Sequence, residues 1–209
     1  GPREPIDPVR FIGNRSSGKM GYALAEAAVD RGAQVYLVSG PTGLEPPAGV
    51  KLTSVETAEE MYRAVMGLYP DVDVVVKAAA VADYRPRTAS PQKIKKDRDS
   101  LVIELEKNPD ILRELGRKKE QQLLVGFAAE TEDLIDNARQ KLHDKKLDLL
   151  VANDVTQPGA GFGADTNLAK LLFPDGRVES LPLMDKLELS HRIWDEVVKL
   201  RAQKQEAAG

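Results

Sequence analysis

Short apolar runs that alternate with amphipathic segments of helical period constrain the fold of this 209-residue chain more than any other feature. The run VDVVV at residues 72–76 is nearly continuous in apolar side chains, as expected of a parallel strand that is covered on both faces. Before it, Thr57 and Glu60 have the spacing of a capping box, which predicts a helix that runs to about Leu68. Strand and helix therefore follow each other directly.

The same alternation extends over most of the sequence. Further strands are predicted at residues 9–12, 34–38, 50–55, 101–105, 123–127 and 147–152, the first of them buried. Further helices are predicted at residues 19–31, from 109 onward, 133–145 and 186–203. A hairpin is predicted from residues 168–173 and 178–181. This order predicts an α/β fold, Rossmann-like and doubly wound, with a mostly parallel sheet and an antiparallel hairpin at its edge.

Ligands of doubly wound sheets bind at the carboxyl ends of the strands, where the predicted elements place Gly13, Ala79, Phe127 and Asn153. Residues 78–105 lack a helical or strand period until residue 101, so we expect them to form an active-site loop and flap. The whole chain, residues 1–209, is expected to form one domain. Gly1-Pro2 is typical of a scar left by tag cleavage, so no function is assigned to it.

Composition excludes several classes of site. The chain has no cysteine, which removes disulfides, thiolate nucleophiles and cysteine-rich zinc sites. Its two histidines, His143 and His191, do not have ligand spacing, so a divalent ion is expected to arrive with substrate phosphates. The net charge of −3 argues against a nucleic-acid partner. No apolar stretch approaches about 20 residues and no signal pattern opens the chain, so we expect a cytoplasmic protein without a membrane partner.

A glycine-rich turn lies between the first predicted strand and the first helix. Its sequence, GNRSSGKM at residues 13–20, matches the phosphate-loop pattern GxxxxGK, but Met20 stands where Ser or Thr should hold magnesium. It also lacks the dinucleotide pattern GxGxxG. A flexed turn at a helix N-terminus nevertheless exposes N–H groups to an anion, with Ser16 and Ser17 as further donors. The alternative interpretation is a tight turn that binds no ligand.

Five further strings follow this loop along the chain: AAAVADY at 78–84, KIKK at 93–96, KNPDI at 107–111, GFAAET at 126–131 and ANDV at 152–155. Together with the opening REPIDPVR at 3–10, they resemble phosphopantothenoylcysteine synthetase over residues 3–198. In bacteria that family is usually the C-terminal half of a bifunctional protein whose other half is a flavin-dependent decarboxylase. The resemblance therefore implies no flavin in this chain, and a fused or associated decarboxylase as a partner.

The resemblance implies a ligase of coenzyme A biosynthesis with two half-reactions. The carboxylate of 4'-phosphopantothenate attacks the α-phosphate of CTP and releases pyrophosphate. L-cysteine then captures the acyl-cytidylate, and CMP leaves. Residue types do not discriminate CTP from ATP, and the bacterial family pattern indicates CTP. Family members dimerise with sites that draw on both subunits, which implies a homodimer, and Mg²⁺ or Mn²⁺ is expected with the triphosphate.

Three residues carry the implied catalytic roles. By resemblance Lys93 contacts the triphosphate from a mobile loop, Asn14 acts on the acyl-nucleotide, and Arg10 lies near the substrate and the subunit interface. Each has an ordinary alternative: a solvated basic strip for Lys93, a turn residue for Asn14, and a surface ion pair for Arg10. Lys95 and Lys96 keep the solvated interpretation.

The resemblance implies that Ser16 and Gly18 of the glycine loop contact the nucleotide. Further contacts are implied after the strand predicted at residues 72–76, at the start of the helix predicted from residue 109, and at two lysines four residues apart. The remaining positions are Lys77, Ala78, Ala79, Asp83, Lys93, Pro109, Asp110, Ile111, Leu112, Phe127, Lys141 and Lys145. Ala79 is also implied in substrate binding, and Asp83 as a metal ligand. Phe127 alternatively belongs to the core, and the lysine pair alternatively forms an exposed stripe.

Two other functions fit parts of the pattern. A nicotinamide-dependent oxidoreductase fits the Rossmann-like layout, although GxGxxG is missing. A non-catalytic nucleotide-binding module fits a chain that lacks a partner half needed to complete its site.

Overall fold

The computed structural model describes residues 1–95, 99–130, 134–154 and 164–208. The first strands are β1 (Glu4–Pro5), β2 (Phe11–Ile12), β3 (Tyr36–Ser39), β4 (Lys51–Ser54), β5 (Val74–Lys77), β6 (Tyr84–Pro86) and β7 (Leu105–Lys107). The remaining strands are β8 (Leu123–Glu130), β9 (Leu149–Asp154), β10 (Thr166–Asn167), β11 (Ala169–Leu172), β12 (Val178–Ser180) and β13 (Met184–Asp185). The helices are α1 (Lys19–Asp30), α2 (Ala58–Leu68), α3 (Ile111–Arg117), α4 (Leu134–Asp144) and α5 (Lys186–Ala208).

The central sheet has the strand order β12-β11-β9-β8-β5. Strands β5, β8 and β9 are parallel, and the hairpin β11–β12 joins β9 in antiparallel orientation. The predicted α/β sheet, mainly parallel with an antiparallel hairpin at its edge, is thus confirmed. Strands β3 and β4 pair in parallel as a separate two-stranded sheet.

Alternate residues of the central strands point to opposite faces of the sheet. Val125 and Val151 pack on one face with residues of α1 and α5, such as Leu24 and Ile193. Leu124 and Leu150 pack on the other face, where helices α2, α3 and α4 supply Met61, Leu115, Ala138 and Leu142. Since full burial of a Val or Leu side chain stabilises by about 1.5–3 kcal/mol, these two clusters fix the sheet between two helical layers.

The structure corrects the prediction for the first strand. Residues 9–12 do not form a buried strand of the central sheet, because Phe11–Ile12 pairs antiparallel with Glu4–Pro5 and Phe11 is 51% exposed. The cause is local turn chemistry. The Arg10 carbonyl accepts hydrogen bonds from the N–H groups of Ile6 (2.8 Å) and Asp7 (3.3 Å), which closes a hairpin. Gly13 consequently does not stand at the end of a strand of the central sheet.

The flap region is also more ordered than its sequence indicated. Strand β6 lies inside residues 78–105 and pairs antiparallel with β7, which begins at Leu105 rather than residue 101. An ion pair from Arg85 to Glu106 (2.9 Å) joins the two strands. Short strands of mixed polarity have little periodicity, which is why the pattern missed them.

Helix α2 confirms Thr57 as the N-cap, but the return bond of the predicted capping box goes to Glu56, one residue before the cap. The Thr57 hydroxyl accepts from the Glu60 N–H at 3.2 Å, and the Glu60 carboxylate accepts from the Glu56 N–H at 2.7 Å. In the part of the chain that the structure describes, no helix has both the length and the apolar character that crossing a membrane requires.

The N-terminal hairpin docks on α2 through a buried carboxylate. Glu4 is 2% exposed, and its Oε1 accepts from the Ala58 N–H at 2.9 Å. Residues 1 and 2 also pack within the fold, where Pro2 is fully buried.

Glu4→Ala should therefore lower the free energy of unfolding by about 1–3 kcal/mol, the cost of an unsatisfied buried N–H at a helix N-terminus. Urea denaturation of the purified chain measures this loss. Glu26→Ala, which removes an exposed carboxylate on α1, is the matched control and should have almost no effect. Equal stability of the two variants would contradict the docking role of Glu4.

Candidate active site

The glycine loop lies at the N-terminus of α1. Gly18 is the N-cap of α1 and has a φ of 83°, a conformation that glycine adopts without strain. No side chain caps the helix, and its first turn contains no acidic residue. The Ser17 hydroxyl accepts from the Lys19 N–H at 3.4 Å, and Thr42 donates to the Ser17 carbonyl at 3.1 Å. The partial positive charge of the helix end favours an anion here. Ser16 is exposed beside it.

Lys19 does not serve this loop as a phosphate-loop lysine would. Its Nζ forms an ion pair with Oδ1 of Asp165, a residue outside the glycine loop, at 2.6 Å. In this structure Lys19 thus pairs with a residue 146 positions further along the chain.

Asn14 joins the glycine loop to the segment that follows β5. Its side chain is exposed, and Nδ2 donates to the Val81 carbonyl at 3.1 Å. Ala78 and Ala79 lie between β5 and this contact, at the carboxyl end of β5, the parallel strand at one edge of the central sheet. The structure thus brings together Asn14 and the small-residue segment that the sequence placed in one site.

Arg10 and Asp7 hold the segment that carries Lys93. The Ile94 N–H donates to Asp7 Oδ2 at 3.1 Å, and Arg10 Nη2 donates to the Ile94 carbonyl at 2.8 Å. Arg10 also pairs with Asp7 at 3.3 Å. These bonds fix the backbone next to Lys93, whose side chain is exposed. In this structure Arg10 therefore helps to hold the backbone of the segment that contains Lys93.

Asp7 is a functional candidate that the sequence analysis missed. Burial acts to raise its pKa, but hydrogen bonds from the backbone of Val9, Ile94 and Arg10, with the Arg10 guanidinium, hold that pKa below its ordinary value. The carboxylate therefore stays charged and keeps its bonds at neutral pH. The signals in the sequence were its place in the string REPIDPVR and an Asp before a proline in a turn, with an arginine three residues on.

A second group of charges surrounds the end of β5. Burial lowers the pKa of Lys77 to about 8; Lys145 and Lys141 lower it further, while Asp110 and Asp83 oppose the change. Lys145 pairs with Asp110 at 3.0 Å and is 21% exposed. The predicted cluster of Lys77, Asp83, Asp110, Lys141 and Lys145 is therefore close enough to interact.

Close helix packing produces this cluster. Gly116 of α3 lies against the backbone carbonyl of Lys145, and any Cβ at that position would collide with it. The Lys145 N–H donates to the Lys141 carbonyl at 3.1 Å, so both lysines continue one helical turn. Asp110 caps α3 by accepting from the Arg113 N–H at 3.2 Å.

The side chains of three residues implied in nucleotide binding are buried or pack against the core, and their role in nucleotide binding stays a prediction. Ile111 and Leu112 are 3% and 5% exposed, so their side chains belong to the core and only their backbone could meet a ligand. Phe127 does not end its strand, because β8 continues to Glu130, and its ring packs against the cluster on the α1 and α5 face. The burial of these side chains depends on tertiary packing, which the linear sequence pattern does not contain.

Asn108 is a further residue that the sequence analysis did not select. Its Nδ2 donates to the Ala82 carbonyl and its N–H to the Asp83 carbonyl, both at 2.8 Å. Its buried Oδ1 accepts no hydrogen bond from the described residues. Asn108 thus holds the backbone of Asp83, whose carboxylate is exposed, and Pro109 follows it directly.

Some sequence predictions concern residues outside the described ranges. These are Lys96, Thr131 and Val155 of the motifs and residue 133, the predicted start of α4. Lys95 is exposed, as predicted for a solvated lysine.

Lys77 should lose its proton near pH 8, below the ordinary lysine pKa of about 10.4. Because the folded chain binds this proton less tightly than the unfolded chain, wild type should gain stability relative to Lys77→Met as the pH rises from 8 to 10. NMR titration of lysines labelled with ¹³C at Cε measures the midpoint, and Lys77→Arg assigns the resonance. Pyrophosphate should raise that midpoint. A Lys77 midpoint near that ordinary lysine pKa would contradict this environment.

The chain matches known proteins over nearly its whole length. The family model described as the DNA/pantothenate metabolism flavoprotein C-terminal domain matches residues 1–200. The coenzyme A biosynthesis bifunctional protein CoaBC of Bacillus subtilis (strain 168) is 52% identical over 202 residues, which are 96% of this chain and 50% of that protein. The chain thus spans about half the length of the curated relatives it matches.

Solved structures agree with this match. The crystal structure of the C-terminal domain of a coenzyme A biosynthesis bifunctional protein CoaBC is 46% identical, has a TM-score of 0.82, and aligns over 97% of this chain and 93% of that one. A Cab2 mutant in complex with phosphopantothenate-cysteine has a TM-score of 0.76 and covers 100% of this chain and 86% of its own, but at 18% identity it shows the fold alone. From the family match and the identity to CoaBC, the chain belongs to the DNA/pantothenate metabolism flavoprotein C-terminal domain family.

Proposed function

We propose that this chain ligates 4'-phosphopantothenate to L-cysteine in coenzyme A biosynthesis and converts CTP to CMP and pyrophosphate. The observation that carries the proposal is the convergence of Asn14, on a helix-capping glycine loop, with the segment after β5. The relatives named as coenzyme A biosynthesis proteins support the pathway. The Cab2 complex supports the product, since that fold relative holds phosphopantothenate-cysteine.

The first half-reaction needs positive charge beside a triphosphate. The substrate carboxylate attacks the α-phosphorus, and pyrophosphate leaves with the electron pair of the broken P–O bond. Lys93 is free to reach the phosphates from a backbone that Asp7 and Arg10 hold in place. Lys77 and Lys145 add charge at the end of β5, and charge that is oriented in advance stabilises the transition state without reorganisation.

The second half-reaction needs a donor beside an acyl oxygen. The cysteine amine attacks the acyl carbon and loses a proton, and CMP departs from the tetrahedral intermediate. The Asn14 amide has two N–H donors, of which one already bonds to Val81. Its second N–H is the group that we assign to the developing oxyanion, in a position that the first bond holds.

A divalent cation fits this arrangement in a limited way. The described residues contain no cluster of three metal-ligating side chains, so Mg²⁺ or Mn²⁺ is proposed to bind chiefly through the oxygens of the triphosphate. The exposed Asp83 carboxylate is the protein ligand that we propose for it. Such an ion would screen that carboxylate from the phosphates and supply additional charge neutralisation.

We propose that the chain works as a homodimer in the cytoplasm, together with a fused or associated flavin-dependent decarboxylase that acts on its product. The length of the bifunctional relatives supports the decarboxylase, because the matched region is about half of each. Gel filtration with light scattering tests the dimer directly.

The decisive experiment mixes the chain with CTP, Mg²⁺, phosphopantothenate and cysteine and measures pyrophosphate and the ligated product. ATP replaces CTP in a parallel reaction, which measures the nucleotide preference. Absence of pyrophosphate at every protein concentration would favour the non-catalytic nucleotide-binding module. Thermal stabilisation by NADP but not by CTP with Mg²⁺ would favour the oxidoreductase.

Lys93→Gln should lower the ligation rate by at least roughly 10²-fold, the usual effect of removing one preorganised charge donor. Lys95→Gln removes a neighbouring exposed lysine and should change the rate by less than about twofold, since solvated surface charges contribute little. Steady-state pyrophosphate release measures both variants. Similar effects at the two positions would return Lys93 to the solvated basic strip.

Asn14→Asp should slow amide formation more than cytidylate formation, because a carboxylate cannot donate to the oxyanion of the second step. Quenched-flow reactions with labelled CTP should therefore show acyl-cytidylate that persists after cysteine is added. If both steps slow equally, Asn14 serves general substrate binding and has no separate role in amide formation.

A further inference from the structure

A glycine lies where two helices of the candidate active site come into backbone contact. Gly116 is buried near the end of α3 and lies against the carbonyl group of Lys145, the residue that follows α4. A Cβ at position 116 would lie 2.8 Å from the Lys145 carbonyl carbon and closer still to its oxygen. A backbone carbonyl cannot rotate away as the end of a flexible side chain can, so a side chain here must displace one of the two helices.

Helix α3 also holds the other end of Lys145. The Lys145 Nζ lies 3.2 Å and 3.0 Å from the two carboxylate oxygens of Asp110, the N-cap of α3. Asp110 and Gly116 are six residues apart, which corresponds to about 9 Å along a helix. One helix thus contacts Lys145 both at its backbone and at its ammonium group.

The backbone beyond Lys145 turns in a strained conformation. The Lys146 N–H donates to the His143 carbonyl at 3.1 Å, and the Leu147 N–H donates to the Leu142 carbonyl at 2.9 Å. These are the two hydrogen bonds of a Schellman motif, which needs a left-handed residue and usually has glycine there. Lys146 occupies that position with φ of 50°. Such strain persists only where the surrounding structure determines the backbone conformation.

Contacts on two sides hold this strained turn. Lys119 Nζ donates to the Lys146 carbonyl at 2.8 Å and to Asp148 Oδ2 at 2.7 Å. Leu147 is 3% exposed and packs on β8, where a Cβ at Gly126 would lie 2.8 Å from Leu147 Cδ1. The turn therefore has no free space into which it could retreat from α3.

We propose that Gly116 is a positioning residue of the candidate active site, because the close helix contact that it permits places Lys145 on Asp110 and thereby sets the affinity for the nucleoside triphosphate. Gly116 is buried and acts through Lys145. A side chain at position 116 pushes α3 away from a turn that cannot follow, which changes the distance between Lys145 Nζ and the Asp110 carboxylate. The nucleotide part of this inference rests on the proposed function, in which Lys145 contacts the nucleotide.

Gly116→Ala tests the proposal, with Gly67→Ala as the matched control. Each glycine is the second-last residue of its helix, but a Cβ at Gly67 meets nothing within 4 Å. Alanine favours the helix over glycine at both positions, so the variants differ in the collision with Lys145. Binding of CTP with Mg²⁺, measured by isothermal titration calorimetry, should weaken by about tenfold in Gly116→Ala and by less than about twofold in Gly67→Ala.

A double-mutant cycle with Lys145→Met separates positioning from general loosening of the fold. Lys145→Met alone should weaken CTP binding by about tenfold, and Gly116→Ala should add less than about twofold in that background, because the group it displaces is already gone. Independent effects that multiply to about a hundredfold would overturn the proposal. Wild-type affinity in Gly116→Ala would overturn it as well.

The protonation of Lys77 reports the position of Lys145 without any ligand. Burial lowers the pKa of Lys77 most, and the charge of Lys145 lowers it further. Lys141 acts in the same direction, while Asp110 and Asp83 oppose it. Movement of Lys145 away from this cluster should therefore raise the Lys77 midpoint toward the ordinary lysine value of about 10.4.

NMR titration of the ligand-free variants measures this effect. The Lys77 midpoint should rise in Gly116→Ala and stay near pH 8 in Gly67→Ala. An unchanged midpoint in Gly116→Ala would overturn the positioning role. A raised midpoint in a chain that does not bind CTP would count against the proposed function and leave the placement of Lys145 by Gly116 supported.

Urea denaturation checks that Gly116→Ala folds. If it does not fold, Lys119→Met tests the same placement from the other side, because it removes the bond to the Lys146 carbonyl. This variant should also weaken CTP binding and raise the Lys77 midpoint. Wild-type values of both quantities in Lys119→Met would then overturn the proposal.

Discussion

The parallel ladder between β8 and β9 is the constraint on which the other features depend. The central residues of its strands, such as Val125 and Val151, are buried and apolar, so their backbone groups must find partners within the sheet. Helices α3 and α4 pack on one face, and this packing brings Lys145 to Asp110. Helices α1 and α5 pack on the other, which sets the glycine loop at the sheet edge.

The candidate site is assembled from connections between these layers. None of its charged groups lies inside the ladder. Lys77 ends β5, Asp110 caps α3, and Asn14 reaches from the loop before α1. A rigid sheet that carries its polar groups on the following loops is a common way to hold anions, because loop N–H groups and helix N-termini remain accessible.

Much of this fold could be predicted from periodicity and capping. The helix that Thr57 begins and the hairpin around residues 174–176 were confirmed, because each depends on short-range hydrogen bonds. The prediction of a buried strand at residues 9–12 was wrong for a related reason. A β-branched and aromatic run predicts a strand, but the Asp7 turn before it paired that strand with Glu4–Pro5 instead of the central sheet.

The sequence alone determined the α/β class, the strings of residues by which the chain resembles its family, and the residue types that can contact phosphate. Those properties are local, since they depend on neighbours within a few positions. Only the tertiary structure decided that Arg10 and Asp7 act on the Lys93 segment, 84 residues away in the case of Arg10. The tertiary structure also decided that Ile111 and Leu112 are core residues. Burial and long-range contacts arise from packing, and no local pattern encodes them.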